Sequence, residues 1–250
     1  MRDHEEKIDG AEIAVTKNKF LSWLDNFWYH YKWPTLIIAF FIIVGVFGFV
    51  QCSTRETGDV NVVFAGGYSM NASQKTTLSS ALSLLVPKEG KEGETVTAVV
   101  PDYPVFSDEE IREMFTDENG NFSLSAYENL RQQCVQNMNT LGDYIMTGEC
   151  SIYLVRESVY QAKNLAALAV PLSQHFQTAP NGAHDEYAVR IGDTEFYQYY
   201  EALHFIPADT LIVLTKPYIY GASSQPETYA QSEALFLAIL NFKAPTSVNS

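Results

Sequence analysis

Residues 60–100 read VNVVFAGGYSMNASQKTTLSSALSLLVPKEGKEGETVTAVV, and this stretch decides the fold class. The valine-rich run at residues 60–65 ends at two glycines and predicts a β-strand. Leucines at helical spacing over residues 73–86 then predict a helix, which Pro87 ends. Residues 95–100 predict a second strand. A strand, a helix and a strand in this order favour an α/β fold.

The same alternation continues towards the C-terminus. Later strands are predicted at residues 151–155 and 210–215, and later helices at residues 107–115, 124–147, 157–165, 194–203 and 227–242. We therefore expect residues 60–243 to form an open mixed sheet covered by helices on both faces. Residues 244–250 form a polar tail.

An apolar segment lies upstream of this domain. Residues 36–50 read LIIAFFIIVGVFGFV without one polar side chain. With its flanks it would form a helix of roughly 28 Å, close to the hydrocarbon thickness of a bilayer. A buried helix of a soluble protein would show a polar face, and none is present here. The sequence predicts a transmembrane helix at residues 34–51 and a linker at residues 52–59.

Charge and aromatic residues orient this helix. Lysines precede it within residues 17–32, and only Arg55 follows it closely, so the positive-inside bias places the N-terminus in the cytoplasm. The preceding stretch is also aromatic and amphipathic, which suits the headgroup layer. We expect a single-pass plasma-membrane protein with a cytoplasmic segment at residues 1–33 and an extracytoplasmic domain at residues 60–243.

Two other interpretations of the apolar segment compete with an uncleaved anchor. A cleaved signal peptide is disfavoured because the preceding segment is long and acidic and no A-x-A-like site follows. A lipoprotein signal would make Cys52 the lipidated residue, but Gln51 stands where such signals carry a small residue. The uncleaved anchor is favoured, and lipidation of Cys52 stays open.

Charge and cysteine content limit the possible partners and crosslinks. The net charge is -14, and an acidic domain repels phosphates, so nucleic acid is not expected as a partner. Three cysteines are too few for a disulfide framework. Cys134 lies about thirteen helical residues, or roughly 20 Å, before the end of its predicted helix. A bond to Cys150 is therefore disfavoured, and two buried free thiols are expected.

Short motifs surround the predicted strand at residues 150–155. Gly148-Glu149 precedes it, Arg156–Tyr160 follows it, and Pro171-Leu172 comes after the next helix. These motifs resemble those of one lobe of bacterial solute-binding proteins of the type 2 periplasmic-binding kind. The resemblance covers residues 60–172 and 205–242 and implies an α/β lobe that binds a ligand. The chain after the anchor is too short for two full lobes.

The aromatic stretch before the apolar segment carries a second resemblance. Phe27-Trp-Tyr-His-Tyr-Lys-Trp33 is similar to the anchors of membrane-tethered proteins of unknown function from Gram-positive anaerobes. This resemblance implies a bacterial envelope protein.

Tyr68, Asp102 and Tyr103 are the candidate ligand-binding residues. Each follows one of the first two predicted strands at its carboxyl end. Open α/β sheets bind ligands at these ends, so we expect the three residues to line a pocket; the alternative is that they are turn residues without a ligand. The leading hypothesis is a non-enzymatic module on the outer face of the membrane that binds a small molecule or an envelope protein.

An anchored hydrolase is the second hypothesis. His184 and Asp185 would act as base and orienting carboxylate, with Ser173 or Ser223 as nucleophile. The spacing of these residues does not require such a site, and ordinary surface residues explain them equally well. No G-x-S-x-G or H-E-x-x-H motif is present.

Two further sequence patterns bear on function, an EF-hand-like spacing and a stretch rich in aromatic residues. Oxygen-bearing side chains between Asp117 and Glu128 follow the spacing of an EF-hand loop, but Phe122 stands where the loop needs glycine. An Asn-Gly turn is favoured instead, and neither a metal nor a cofactor is predicted. Aromatic residues crowd residues 187–220; they either pack at the core edge or form an interface, and the latter would suit a structural subunit of an envelope complex.

Overall fold

A computed structural model describes residues 19–53, 58–86, 95–217 and 226–245. The chain divides into two compact units, Met1–Glu56 and Thr57–Ser250. The expected cytoplasmic segment before Lys19, the helix-ending Pro87, Ser223 and the last residues of the polar tail lie outside the described residues, as does the side chain of Cys52.

The first unit contains helix α1, Lys19–Ser53. The transmembrane helix was predicted to begin at Pro34, but Pro34 lies inside α1. The aromatic stretch and the apolar segment are therefore parts of one helix. Side chains are described at residues 27–29 and 31–47, whereas the apolar segment extends to Val50. The large apolar side chains from Leu36 to Phe47 are 49–67% exposed. Within the described residues, none of the helices combines the length and the apolar composition of a membrane span.

The second unit is built on a five-stranded open sheet of order β2-β1-β3-β5-β4. Its strands are β1 Val60–Ala65, β2 Ala98–Val99, β3 Ile152–Val155, β4 Ala188–Arg190 and β5 Leu211–Leu214. Strand β1 is parallel to β2 and β3, whereas β5 is antiparallel to β3 and β4. The mixed open sheet expected from the sequence is confirmed.

Seven helices are described in the second unit. They are α2 Ala72–Ser83, α3 Asp108–Met114, α4 Leu124–Thr147, α5 Glu157–Ala162, α6 Leu165–Leu168, α7 Glu195–Tyr199 and α8 Pro226–Leu240. The helix predicted at residues 157–165 is two short helices, because Asn164 takes a left-handed conformation with φ 49°. The helix predicted at residues 194–203 is α7 followed by the 3-10 turn Glu201–Leu203.

The strand side chains alternate between two hydrophobic cores. Val62, Phe64 and Leu154 point into one core, which α2, α7 and α8 cover. Val63 and Tyr153 point into the other, which α4, α5 and α6 cover. Because successive strand residues face opposite sides of a sheet, both faces are packed. A small third cluster joins α3 to α4.

Strand β2 is shorter than the predicted run of residues 95–100. The Ser79 hydroxyl of α2 donates a hydrogen bond to the carbonyl of Ala98, and the Ala98 amide donates one to Ser83 Oγ at 3.0 Å. These serines satisfy backbone groups on the outer side of an edge strand. Helix α2 therefore covers the edge, and covered edges do not pair with other chains.

Both described cysteines are buried free thiols, as expected from the sequence. Cys150 Sγ lies 3.0 Å from the carbonyl oxygen of Asn61 and 2.9 Å from that of Ile152, and these two acceptors share its single hydrogen. Burial raises the pKa of Cys150 to about 12, so its reactive thiolate form is scarce.

Strand order reverses at β1. Helix α2, between β1 and β2, packs on one face of the sheet, and α4, between β2 and β3, packs on the other. Loops that leave adjacent parallel strands towards opposite faces create a crevice at the carboxyl ends. The carboxyl ends of β1 and β3 are therefore the switch point at which a ligand site is expected.

Candidate functional site

An ion pair occupies the switch point. The Arg156 guanidinium, directly after β3, binds Glu110 of α3 through two contacts, Nη1 to Oε2 at 2.7 Å and Nη2 to Oε1 at 3.1 Å. Arg156 Nη1 also donates to the carbonyl of Val105 at 3.0 Å. The hydrogen bond from Arg156 lowers the pKa of Glu110 to about 2. Glu110 also forms a capping box with Ser107 at the start of α3.

Gly67 makes room for this pair. A Cβ atom at Gly67 would lie 2.7 Å from Arg156 Nη1 and 3.5 Å from Glu110 Oε1. A side chain here would therefore push the guanidinium out of its position. The second glycine after β1 thus serves an internal ion pair, and the chain's own side chains fill part of the crevice.

Tyr68 turns away from this pair. Its hydroxyl donates to Gln74 Oε1 of α2, and its ring centroid lies 6.5 Å from that of Phe205. Tyr103 lies on the opposite side of the sheet, where its ring centroid is 5.6 Å from that of Tyr144. The two tyrosines therefore do not converge on one pocket.

Asp102 is buried between them, with its side chain 2% exposed. Its Oδ2 accepts from the Met70 amide at 2.9 Å and lies 3.6 Å from Lys75 Nζ. Its Oδ1 has no hydrogen-bond partner among the described residues. Burial raises the pKa of Asp102, although Met70 and Lys75 act in the opposite direction. Asp102 fixes the loop between β1 and α2.

An open groove lies beside that loop, and we call it the α2 groove. Its volume is about 590 Å³. One wall is α2 between Ala72 and Leu84, and the other is formed by Tyr200, Ala202 and Leu203. No charged residue lines it. Neither Tyr68, Asp102 nor Tyr103 belongs to its lining, so the candidate residues of the sequence do not form this site.

Local hydrogen bonds make the α2 wall apolar. The hydroxyls of Thr76 and Thr77 donate to the carbonyls of Ala72 and Ser73, each at 2.9 Å. Threonines that bond back to their own helix leave mainly methyl groups for a neighbouring molecule. The hydroxyls of Ser73 and Ser80, which also line the groove, have no hydrogen-bond partner among the described residues.

An aromatic cluster supports the opposite wall. The Tyr200 ring centroid lies 5.1 Å from Phe196, 5.7 Å from Phe242 and 5.0 Å from Tyr199. Phe196 is fully buried, whereas Tyr199 is 47% exposed. Part of the aromatic region therefore packs at the core edge, and its rings contact Tyr200 at the groove.

Two smaller cavities lie at the other end of β3. One, of about 370 Å³, is lined by polar and acidic residues that include Asp59, Glu149 and Glu227. The other, of about 130 Å³, includes Gly148 and Thr215. Cys150 belongs to the lining of both.

The proposed hydrolase residues contact other partners. His184 Nε2 lies 2.8 Å from Glu157 Oε2, whereas Asp185 accepts from the Tyr160 hydroxyl at 2.6 Å and from the Tyr187 amide at 2.7 Å. Asp185 therefore does not orient His184. Ser173 is exposed, and Ser223 lies outside the described residues.

The EF-hand-like loop is a closed turn. Asp117 Oδ1 accepts from the amides of Asn119 and Asn121 at 2.9 and 2.7 Å, and Oδ2 accepts from Asn121 Nδ2 at 2.9 Å. The Asn121 side chain lowers the pKa of Asp117. Both carboxylate oxygens are thus occupied by the chain itself. Nowhere in the described ranges are three His, Cys, Asp or Glu side chains placed to hold a metal ion.

Comparison with known proteins finds no relative of this chain. No protein-family model, no curated protein and no solved structure matches the chain.

Proposed function

We propose that this protein is a membrane-tethered binding module that holds an uncharged, largely apolar small ligand in the α2 groove. The observation that carries the proposal is a cavity of about 590 Å³ without a charged residue in its lining. Ligand sites commonly have volumes of about 300–1,000 Å³, apolar walls and a few polar groups that orient the ligand. In the α2 groove, the hydroxyls of Ser73 and Ser80 supply those polar groups.

Physical chemistry sets the expected ligand class and affinity. An ionised ligand would lose hydration without gaining an opposite charge, so the lining disfavours it. Burying about 100 Å² of apolar ligand surface contributes about 2.5 kcal/mol at 25 cal/mol per Å². Stacking on Tyr200 adds up to about 1 kcal/mol. These contributions sum to about 3.5 kcal/mol, so fragments with one aromatic ring should bind with a Kd of about 3 mM, and larger ligands more tightly.

The tether is supported by the first unit. Residues 36–50 carry no polar side chain, and the described apolar side chains of α1 are exposed on all sides of the helix. A helix that is apolar all round is stable in a bilayer but not in water. The lysines that precede this segment favour a cytoplasmic N-terminus and an extracytoplasmic second unit. The likeness to one solute-binding lobe supports the same setting in a bacterial envelope.

Ligand-observed NMR with the full chain in lipid nanodiscs tests the groove. A library of uncharged aromatic fragments should give saturation-transfer signals with the wild type. Thr76→Trp places an indole on the exposed groove wall and should weaken binding at least about tenfold. Val135→Trp makes a comparable change at an exposed site on α4 and should leave binding unchanged.

Two outcomes would reject the groove as the ligand site. Equal binding to wild type and Thr76→Trp would place the fragments elsewhere. An absence of binding by every fragment at millimolar concentration would favour an envelope protein as the partner, which is the alternative in the sequence-based hypothesis.

A further inference from the structure

A short hairpin covers the outer edge of β4. The Arg190 amide donates to the carbonyl of Gly182 at 2.8 Å, and the His184 amide donates to the carbonyl of Ala188 at 2.8 Å. Ala183 and Val189 form an antiparallel bridge between these hydrogen bonds. Because β4 ends the sheet, this segment shields backbone groups that would otherwise be open to another strand.

The His184 side chain joins this hairpin to α5. His184 Nε2 lies 2.8 Å from Glu157 Oε2, and His184 Nδ1 lies 3.2 Å from Arg190 Nη2. The imidazole therefore stands between a carboxylate and a guanidinium. Its side chain is 20% exposed, so protons from solvent can reach it.

Donor chemistry assigns the tautomer. A guanidinium has only donors, so His184 Nδ1 must present a lone pair to Arg190. The ring hydrogen of a neutral imidazole is then on Nε2, from which it donates to Glu157. Protonation would put a hydrogen on Nδ1 and convert the hydrogen bond with Arg190 into a contact between two cations.

We propose that His184 is an acid-sensitive latch that holds the hairpin on the edge of β4. In its neutral form it accepts from Arg190 and donates to Glu157. In its protonated form it still donates to Glu157 but repels the Arg190 guanidinium, so the hairpin loosens where it pairs with β4. Among side chains with their ordinary pKa values, histidine is the one that changes charge between about pH 5 and 8.

The other groups that face His184 leave this response intact. The Tyr160 ring contacts the imidazole edge-on at a centroid distance of 6.0 Å, and its hydroxyl donates to Asp185 Oδ2 at 2.6 Å. Asp185 Oδ1 accepts from the Tyr187 and Ala188 amides at 2.7 and 2.9 Å. Asp185 is thus committed to the turn of the hairpin, and Arg190 is the group that protonation displaces.

Amide hydrogen exchange of the full chain in nanodiscs tests the latch, with the amides of His184 and Arg190 as probes. After correction for the intrinsic exchange rate, protection in the wild type should fall about three- to tenfold between pH 7.5 and 5.5, the effect of losing about one hydrogen bond. His184→Gln is the matched control, since an amide can accept from Arg190 and donate to Glu157 without titrating. This variant should keep its protection at both pH values.

Equal losses in wild type and His184→Gln, or no loss in the wild type, would overturn the latch. A second measurement does not depend on the variant. Nitrogen chemical shifts of the wild-type imidazole at about pH 8 should show an unprotonated Nδ1 and a protonated Nε2. The opposite tautomer, or a mixture of both, would also overturn it.

Discussion

Replacing Glu110 by glutamine removes the charge that faces Arg156 while keeping an oxygen for the capping box, since glutamine fills that role as well as glutamate. The pKa of Glu110 is lowered from 4.5 to about 2 by Arg156. At 1.36 kcal/mol per pKa unit this corresponds to about 3 kcal/mol of stability at neutral pH. The Glu110 side chain is 37% exposed, so solvent screening reduces the expected loss to about 1–2 kcal/mol.

The stability difference between wild type and Glu110→Gln should depend on pH in a direction set by the lowered pKa of Glu110. A carboxylate with a lowered pKa stabilises the folded state above the unfolded pKa, and this contribution is lost as pH falls through the folded pKa. The difference between wild type and Glu110→Gln should therefore be constant above about pH 5 and shrink between pH 4.5 and about 2.

Urea unfolding of residues 57–250, followed by far-UV circular dichroism, measures this difference. Glu109→Gln is the matched control, because Glu109 is an exposed neighbour in the first turn of the same helix. It removes the same charge near the helix end without touching Arg156. A Glu110→Gln loss no larger than that of Glu109→Gln at pH 7, or one that persists at pH 2.5, would refute the assignment of the ion pair.

Further predictions concern the packing around this site. Gly67→Ala should lower the free energy of unfolding by about 1 kcal/mol because its methyl group displaces Arg156. In a double-mutant cycle this loss should be smaller in a Glu110→Gln background, and strict additivity would contradict the contact between Gly67 and Arg156. Ser83→Ala should cost about 1 kcal/mol in urea unfolding by leaving the Ala98 amide without its acceptor, and a neutral effect would show that this edge is hydrated. In a Cys52→Ser chain, Cys150 should resist maleimide at pH 8 until the protein is unfolded; rapid labelling of the native chain would contradict its burial.

Local sequence signals predicted the elements that end at strong breakers. Helix α4 has the predicted bounds of residues 124–147, since an Asn-Gly turn precedes it and Gly148, with φ 63°, caps it. Strand β1 also has its predicted bounds, because two glycines follow its apolar run. The helix predicted at residues 107–115 is α3, which begins at a capping box of Ser107 and Glu110.

Elements that depend on tertiary contacts were less predictable. Apolar alternation suggested six strand residues at 95–100, but only Ala98 and Val99 pair with β1 as a strand, and beyond them Pro101 and Tyr103 bond to the backbone of Phe64. Similarly, helical spacing could not show the break at Asn164. In both cases the deciding interaction comes from packing and not from the segment's own pattern.

The candidate functional site was also predictable only in part. The sequence placed Tyr68, Asp102 and Tyr103 at the carboxyl ends of the first strands, but it could not show that the tyrosines pack on opposite faces of the sheet. Arg156 and Glu110 are 46 residues apart, so no spacing rule joins them. The two walls of the α2 groove are also distant in the sequence, and only the packed fold brings them together.

The proposed tether would determine where the α2 groove meets a ligand, so membrane topology is the central claim to test. One new cysteine, at Asp3 or at the exposed Ser125, would be placed in a Cys52→Ser chain whose two remaining cysteines are buried. Each chain would be treated with a membrane-impermeant maleimide in intact cells. The account predicts that the Ser125→Cys chain is labelled in intact cells and the Asp3→Cys chain only after permeabilisation. Labelling of Asp3→Cys alone, or of neither chain before permeabilisation, would contradict it.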